Sequence, residues 1–164
     1  MKVKELLEFI DDEESPRNYP NPLPSIEAGD PEFEKFDDAA SEAERMMVYK
    51  YRSENGIGGN ITGEEYGNIL KQSRQKYGKI TNIPIKKLIA TEPFLDKNHL
   101  DKIMKGEATT PSDKLPNVYK VGNAYYIGDG NHRVVAAALQ GNQTVKVLLL
   151  DVDKLKNSLT LPNK

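Results

Sequence analysis

The sequence predicts an α/β fold, a small mixed-sheet domain carrying an N-terminal helical extension. Three observations predict it. From Ile80 onward, strand-like and helix-like apolar patterns alternate in the order β-α-β-β-α-β. Before that point, apolar residues recur at helical spacing between irregular stretches. A Gly122-Asn123 pair divides residues 117–127 into two strand-like halves, the signature of a hairpin with a two-residue turn.

Taken in order, Val3, Leu6, Leu7 and Ile10 fit a short amphipathic helix, ended by the acidic run before Pro16. Prolines 16, 20, 22, 24 and 31 make residues 15–31 an extended linker or irregular arm. Asp30-Pro31-Glu32 opens a helix with an acidic cap and a proline at its first position. Phe33, Phe36, Ala40, Ala43 and Met47 continue it, and Asn55-Gly56 closes it. A flexible Gly56–Asn60 connection follows. Thr62-Gly63-Glu64-Glu65 reads as a capping box opening a helix with Tyr66, Ile69, Leu70 and Tyr77, stopped by Gly78.

Ile80–Ile85 reads as an edge strand, because Pro84 cannot donate to a ladder. Asp96 caps a helix containing Leu100, Ile103 and Met104, stopped by Gly106, and a polar loop runs on to Lys114. After the hairpin, Val134–Gln140 is helix, with Gly141 as its stop. The continuous apolar run Thr144–Leu150 suits a buried strand. Asp151–Leu155 begins a short terminal helix, and the tail from Asn157 is expected to fray. The expected division is therefore 1–78 as extension, 79–156 as the α/β domain and 157–164 as tail.

Hydrophobic residues make up 37% of the 164 and charged residues 29%, which fits one polar domain with a real core. No apolar run approaches a membrane span and the N-terminus lacks a signal-peptide core, so a cytoplasmic location without membrane contact is expected. With no cysteine, disulfides, thiolate metal sites and cysteine nucleophiles are excluded. The net charge of −2 hides an asymmetry: residues 1–44 carry 14 acids and 4 bases, and the remainder 11 acids and 19 bases. An acidic front on a basic body points to contact between the two or to an anionic ligand; the alternative is a solvated acidic face.

The run Gly128-Asp129-Gly130-Asn131-His132-Arg133 sits where the second hairpin strand meets the helix. Orphan amides and the positive end of a helix dipole favour an anion there, so the turn is a candidate phosphate site, with Asn131 or Asp129 as its cap. Arg133 can grip phosphate oxygens through its fork, or form a salt bridge with Asp151 or Asp153. His132 can donate to phosphate or shuttle a proton, or simply pack or cap. Asp129 can ligate Mg²⁺ or act as a base, or only form the turn. Glu92 is a candidate catalytic carboxylate or an ordinary loop residue. His99 lies on a helix surface unless the fold brings it to the turn. Of Tyr125 and Tyr126, which alternate faces, one packs in the core and the other is placed to stack on a base. The two histidines lack zinc-site spacing.

These segments together resemble the ParB/sulfiredoxin superfamily across residues 80–153. Asn82–Ile89 is similar to its opening strand, Leu95–Leu100 to the start of its first helix, and Leu115–Ile127 to its hairpin. Gly128–Arg133, the alanine-rich helix and the strand ending at Asp151 are similar to its phosphate-binding turn and closing strand. Sulfiredoxins have a cysteine where this chain has Asn131, so sulfinate repair is excluded. The ParB DNA-binding helix-turn-helix has no counterpart after the closing strand. The Asp-Gly-x-His-Arg form looks most like the free-serine-kinase-like branch. That resemblance implies a nucleotide such as ATP or ADP, with Mg²⁺, held by Gly128, Gly130, Asn131, His132 and Arg133. Glu92 lies near that branch's catalytic glutamate if a one-residue slip is allowed, and His99 near a nucleotide-contacting lysine of sulfiredoxins.

Three functions are thereby expected. The first is nucleotide binding with Mg²⁺-assisted phosphoryl transfer or hydrolysis, using Glu92, Asp129 and His132. The second is a ParB-like DNA-binding protein or nuclease from a phage or other mobile element, favoured by the basic body. The third is a non-catalytic interaction protein whose N-terminal helices dock a partner protein or a second copy.

Overall fold

The computed structural model describes residues 19–107 and 114–159. The helix expected at residues 3–10 lies outside them, as do residues 160–164 of the tail. Strand β1 (Tyr19–Pro20) leads through the proline-rich arm to helices α1 (Pro31–Glu54) and α2 (Gly63–Tyr77). There follow β2 (Lys79–Pro84), a 3₁₀ turn (Ile85–Lys87), β3 (Leu88–Ile89), β4 (Phe94–Leu95) and helix α3 (Lys97–Met104). The hairpin β5 (Asn117–Val121) and β6 (Ala124–Asp129), helix α4 (Asn131–Leu139), strand β7 (Thr144–Asp151) and helix α5 (Val152–Ser158) complete the chain.

The expected β-α-β-β-α-β order is present, with the short β3 and β4 added. The five-stranded sheet runs β2-β7-β5-β6-β3 and is mixed. Strand β2 is antiparallel to β7, and β7 is parallel to β5. The β5–β6 hairpin is antiparallel, and β3 runs parallel to β6. Strand β2 lies at one edge, where Pro84 interrupts no second ladder. It ends at Pro84, and Ile85 begins the 3₁₀ turn instead of extending the strand. In the hairpin only Gly122 has a positive φ, 61°, the φ pattern of a II′ turn with glycine first.

Both sheet faces are covered, which follows from side chains alternating along each strand. On one face Val118, Ile127 and Val147 meet Val134 of α4 together with Ile83, Ile85 and Leu88, with Tyr125 packed alongside. On the other, Tyr119, Tyr126 and Leu150 meet Phe36, Ala40, Ala43 and Met47 of α1 and Val152 and Leu155 of α5. Tyr125 and Tyr126 thus pack on opposite faces, and neither is held out as a free stacking platform. A third cluster joins Tyr19, Leu95, Leu100, Val135 and Ala136.

The residues before 79 that the structure describes pack on the α/β domain: α1 closes one face of the sheet and β1 pairs with β4. The fraying expected from Asn157 does not hold at 157–159: α5 continues through Ser158, and Leu159 is buried in the α1 core. The capping box forms as read, with the Glu65 amide donating to Thr62 Oγ1 at 3.1 Å and the Thr62 amide to Glu65 Oε1 at 3.0 Å. Those bonds hold the Glu65 carboxyl below its ordinary range. Among the described residues no helix is long and apolar enough to cross a membrane.

Candidate functional site

Strand β6 ends at Asp129, Gly130 turns the chain at φ +98°, and α4 starts at Asn131. The cap position belongs to Gly130, which offers no side-chain cap; this corrects the expectation that Asn131 or Asp129 would fill it. The first i−4 bond runs from the Val134 amide to the Gly130 carbonyl at 3.0 Å. Helix geometry therefore gives the amides of residues 131–133 no intrahelical carbonyl. Both glycines are also required by packing. A Cβ at Gly128 would lie 2.5 Å from the Tyr119 ring, and one at Gly130 2.8 Å from Pro116 Cβ.

Side chains leave this junction in two directions. On the α3 side, Asn131 is only 2% exposed and turns back into the protein. Its Oδ1 accepts from the Thr91 amide at 3.1 Å, and its Nδ2 donates to Thr91 Oγ1 at 3.2 Å and reaches Glu92 Oε1 at 3.5 Å. Thr91 Oγ1 in turn donates to the Ile127 carbonyl at 2.6 Å. His132 Nε2 accepts from the Asp96 amide at 3.0 Å, so that nitrogen carries no proton in this arrangement. Asp96 also caps α3, its Oδ1 accepting from the His99 amide at 3.1 Å. The His99 ring meets the His132 ring edge-to-face at 4.6 Å. The fold thus brings Glu92, His99, Asn131 and His132 to one end of α4.

On the other side lie Asp129 and Arg133. Asp129 is exposed, its Oδ2 3.8 Å from Lys114 Nζ. The Arg133 guanidinium donates to the Lys114 carbonyl. It makes neither of the salt bridges considered for it: Asp151 pairs with Lys120 at 3.7 Å, and Asp153 accepts from the Gly122 amide at 2.9 Å. Asp129 and Glu92 accordingly belong to different surroundings. Among the described residues no group of three or more His, Asp or Glu side chains is arranged to hold a metal.

Part of the acidic front docks on the basic body. Glu44 accepts from Arg74 and from Tyr119 Oη, the latter at 2.7 Å; Glu42 pairs with Lys156 at 3.3 Å. Glu32 accepts from Tyr126 Oη at 2.9 Å. Burial and the Glu44 carboxylate push the Tyr119 phenol well above its ordinary range, with Arg74 pulling back. Burial and Glu32 raise Tyr126 to about 12. Burial opposes the Arg74 charge, but Tyr119 and Glu44 outweigh it and hold the guanidinium above its usual value.

Thr91 and the Lys114 carbonyl organise the turn without any signal in the sequence. Asn21, in the proline-rich arm, is a third such residue. Its amide donates to the Pro93 carbonyl at 2.8 Å and its Nδ2 to the Glu92 carbonyl at 3.0 Å, fixing the segment that carries Glu92. Asp96 could be read as a cap, but its backbone bond to an imidazole 36 residues away could not.

No curated protein sequence matches the chain. Among solved structures it is similar to the sulfiredoxin of Arabidopsis thaliana, at 22% identity and a TM-score of 0.39, over 51% of this chain and 99% of that one. The model of the antitoxin VapB-like family matches residues 62–153, from the capping box of α2 to the first turn of α5. Since that match takes in more than half of its length, the chain belongs to the antitoxin VapB-like family.

Proposed function

We propose that this protein works as an antitoxin, neutralising a toxin protein by direct binding and performing no chemistry of its own. The observation that carries this reading is the engagement of the turn's polar side chains within the molecule. Asn131 serves Thr91, His132 accepts from the Asp96 amide, and Arg133 serves the Lys114 carbonyl. Family membership supports the same reading. The surface best suited to a partner is the groove between α1 and α2, about 480 Å³, where Arg45, Tyr49 and Tyr66 stand open beside Arg52. Tyrosine and arginine are the residue types that dominate interface energetics. The test is co-expression with the product of the adjacent gene, in cells where that product alone arrests growth. Growth should resume and an equimolar complex should purify, with Y49A/Y66A weakening it at least tenfold, about 1.4 kcal/mol. Unrelieved arrest overturns the proposal.

A second reading keeps the turn as an oxyanion site for a nucleotide such as ATP or ADP, in the manner of the free-serine-kinase-like branch. It is supported by the convergence of Glu92, His99 and His132 on the α4 N-terminus. Asp129 faces Lys114, so in this reading the catalytic carboxylate is Glu92. Mg²⁺ would arrive on the phosphates, which with water supply most of its ligands. Calorimetric titration with ATP and ADP, with and without Mg²⁺, tests this reading. Binding weakened by about 1–3 kcal/mol in R133A supports it, and absence of heat overturns it.

A further inference from the structure

On the far side of the glycine turn from His132 lies a cavity of about 520 Å³ that none of the functions above uses. Helix α2 contributes Lys71, Arg74 and Gln75; the sheet contributes Ile80, Leu148, Asn117 and Asp129; Lys114 and Leu115 close it. Its volume is that of a small-molecule site. Three aliphatic side chains, Ile80, Leu115 and Leu148, give it an apolar lining, and Ile80 is 61% exposed there.

The polar groups define what fits. Arg74 is engaged by Glu44 and Lys114 lies near Asp129, whereas Lys71 has no carboxylate within ion-pair distance among the described residues. The lining therefore holds one more cation than its local carboxylates balance. Asn117 also lines the cavity, at 8% exposure. An amide offers both a donor and an acceptor to a ligand head. We propose that this cavity binds a small amphipathic monoanion, with a carboxylate-type head near Lys71, Lys114 and Asn117 and an aliphatic body over Ile80, Leu115 and Leu148.

The proposal rests on the cavity alone and stands or falls independently of toxin or nucleotide binding. The full chain is titrated by calorimetry with octanoate, with octan-1-ol as the same body without charge, and with acetate as the head without body. Octanoate should bind one to one, at least tenfold more tightly than either control, or about 1.4 kcal/mol. K71Q/K114Q should lower octanoate affinity by about tenfold while leaving octanol unchanged, since both side chains are exposed and carry no core packing. L115W, which fills the cavity, should abolish octanoate binding while circular dichroism stays unchanged. Octanoate binding no tighter than octanol, or indifferent to the lysine pair, overturns the proposal, as does silence with octanoate at millimolar concentration.

Discussion

Replacing Asn131 by alanine tests whether the turn is a latch built for the protein's own stability. The substitution removes the acceptor for the half-buried Thr91 amide and the donor to Thr91 Oγ1. Leaving the amide without a partner costs about 1–3 kcal/mol, and the second bond adds about 1 kcal/mol. N131A should therefore lower unfolding stability by about 2–4 kcal/mol, read as a shifted urea midpoint at constant slope in far-ultraviolet circular dichroism. Because the partner is known, a cycle with Thr91→Val separates this pair from general damage. The coupling energy should reach about 1 kcal/mol, well above the roughly 0.3–0.5 kcal/mol within which independent sites add. N131D supplies an internal control: it keeps the acceptor but sets a second carboxylate beside Glu92, and should also destabilise. A loss for N131A below about 0.5 kcal/mol, the level of an ordinary surface substitution, would refute the reasoning.

Three further outcomes follow from the geometry. Gly130→Ala places a Cβ against Pro116 at φ +98°, and should cost at least about 1–2 kcal/mol in the same urea assay, the scale of left-handed strain alone. Phe36→Ala, which strips α1 of a ring packed edge-on against Tyr119, should cost about 3–5 kcal/mol; a cost near zero would mean that α1 does not seal the sheet. Tyr19 and Tyr126 have folded pKa values raised from 10.0 to about 12, so the folded state holds their protons more tightly than the unfolded chain. Stability should be intact below pH 10, fall between pH 10 and 12, and be accompanied by cooperative tyrosinate absorbance; non-cooperative titration near 10 would contradict the burial of these rings.

The features legible in the sequence are those whose cause is local. The capping box at Thr62 follows from residues three apart. The hairpin follows from Gly122-Asn123, the edge strand from Pro84, and the glycine junction from its place between a strand pattern and a helix pattern. What escaped is what depends on distant partners. Two residues of a proline-rich arm, Tyr19 and Pro20, form a strand because Phe94 and Leu95 meet them, and no periodicity reveals a two-residue strand. Likewise Leu88–Ile89 becomes a strand only by lying beside Tyr125–Tyr126. At the site, residue type identified Arg133 and Asp129 as chemistry-bearing, yet their roles are set by Lys114, whose carbonyl and ammonium hold both. A carbonyl is common to every residue, so composition could not mark it.

The long helix α1 and the strap at Tyr19 have a consequence for how the chain matures. Both precede in the chain the strands β5, β6 and β7 and the helices α4 and α5, whose surfaces they cover. Phe36 and Met47 remain without a seat until Tyr119, Leu150 and Leu155 have been made. Closure of the sheet then brings together residues far apart in the chain, which slows folding and leaves the apolar face of α1 uncovered in the nascent protein.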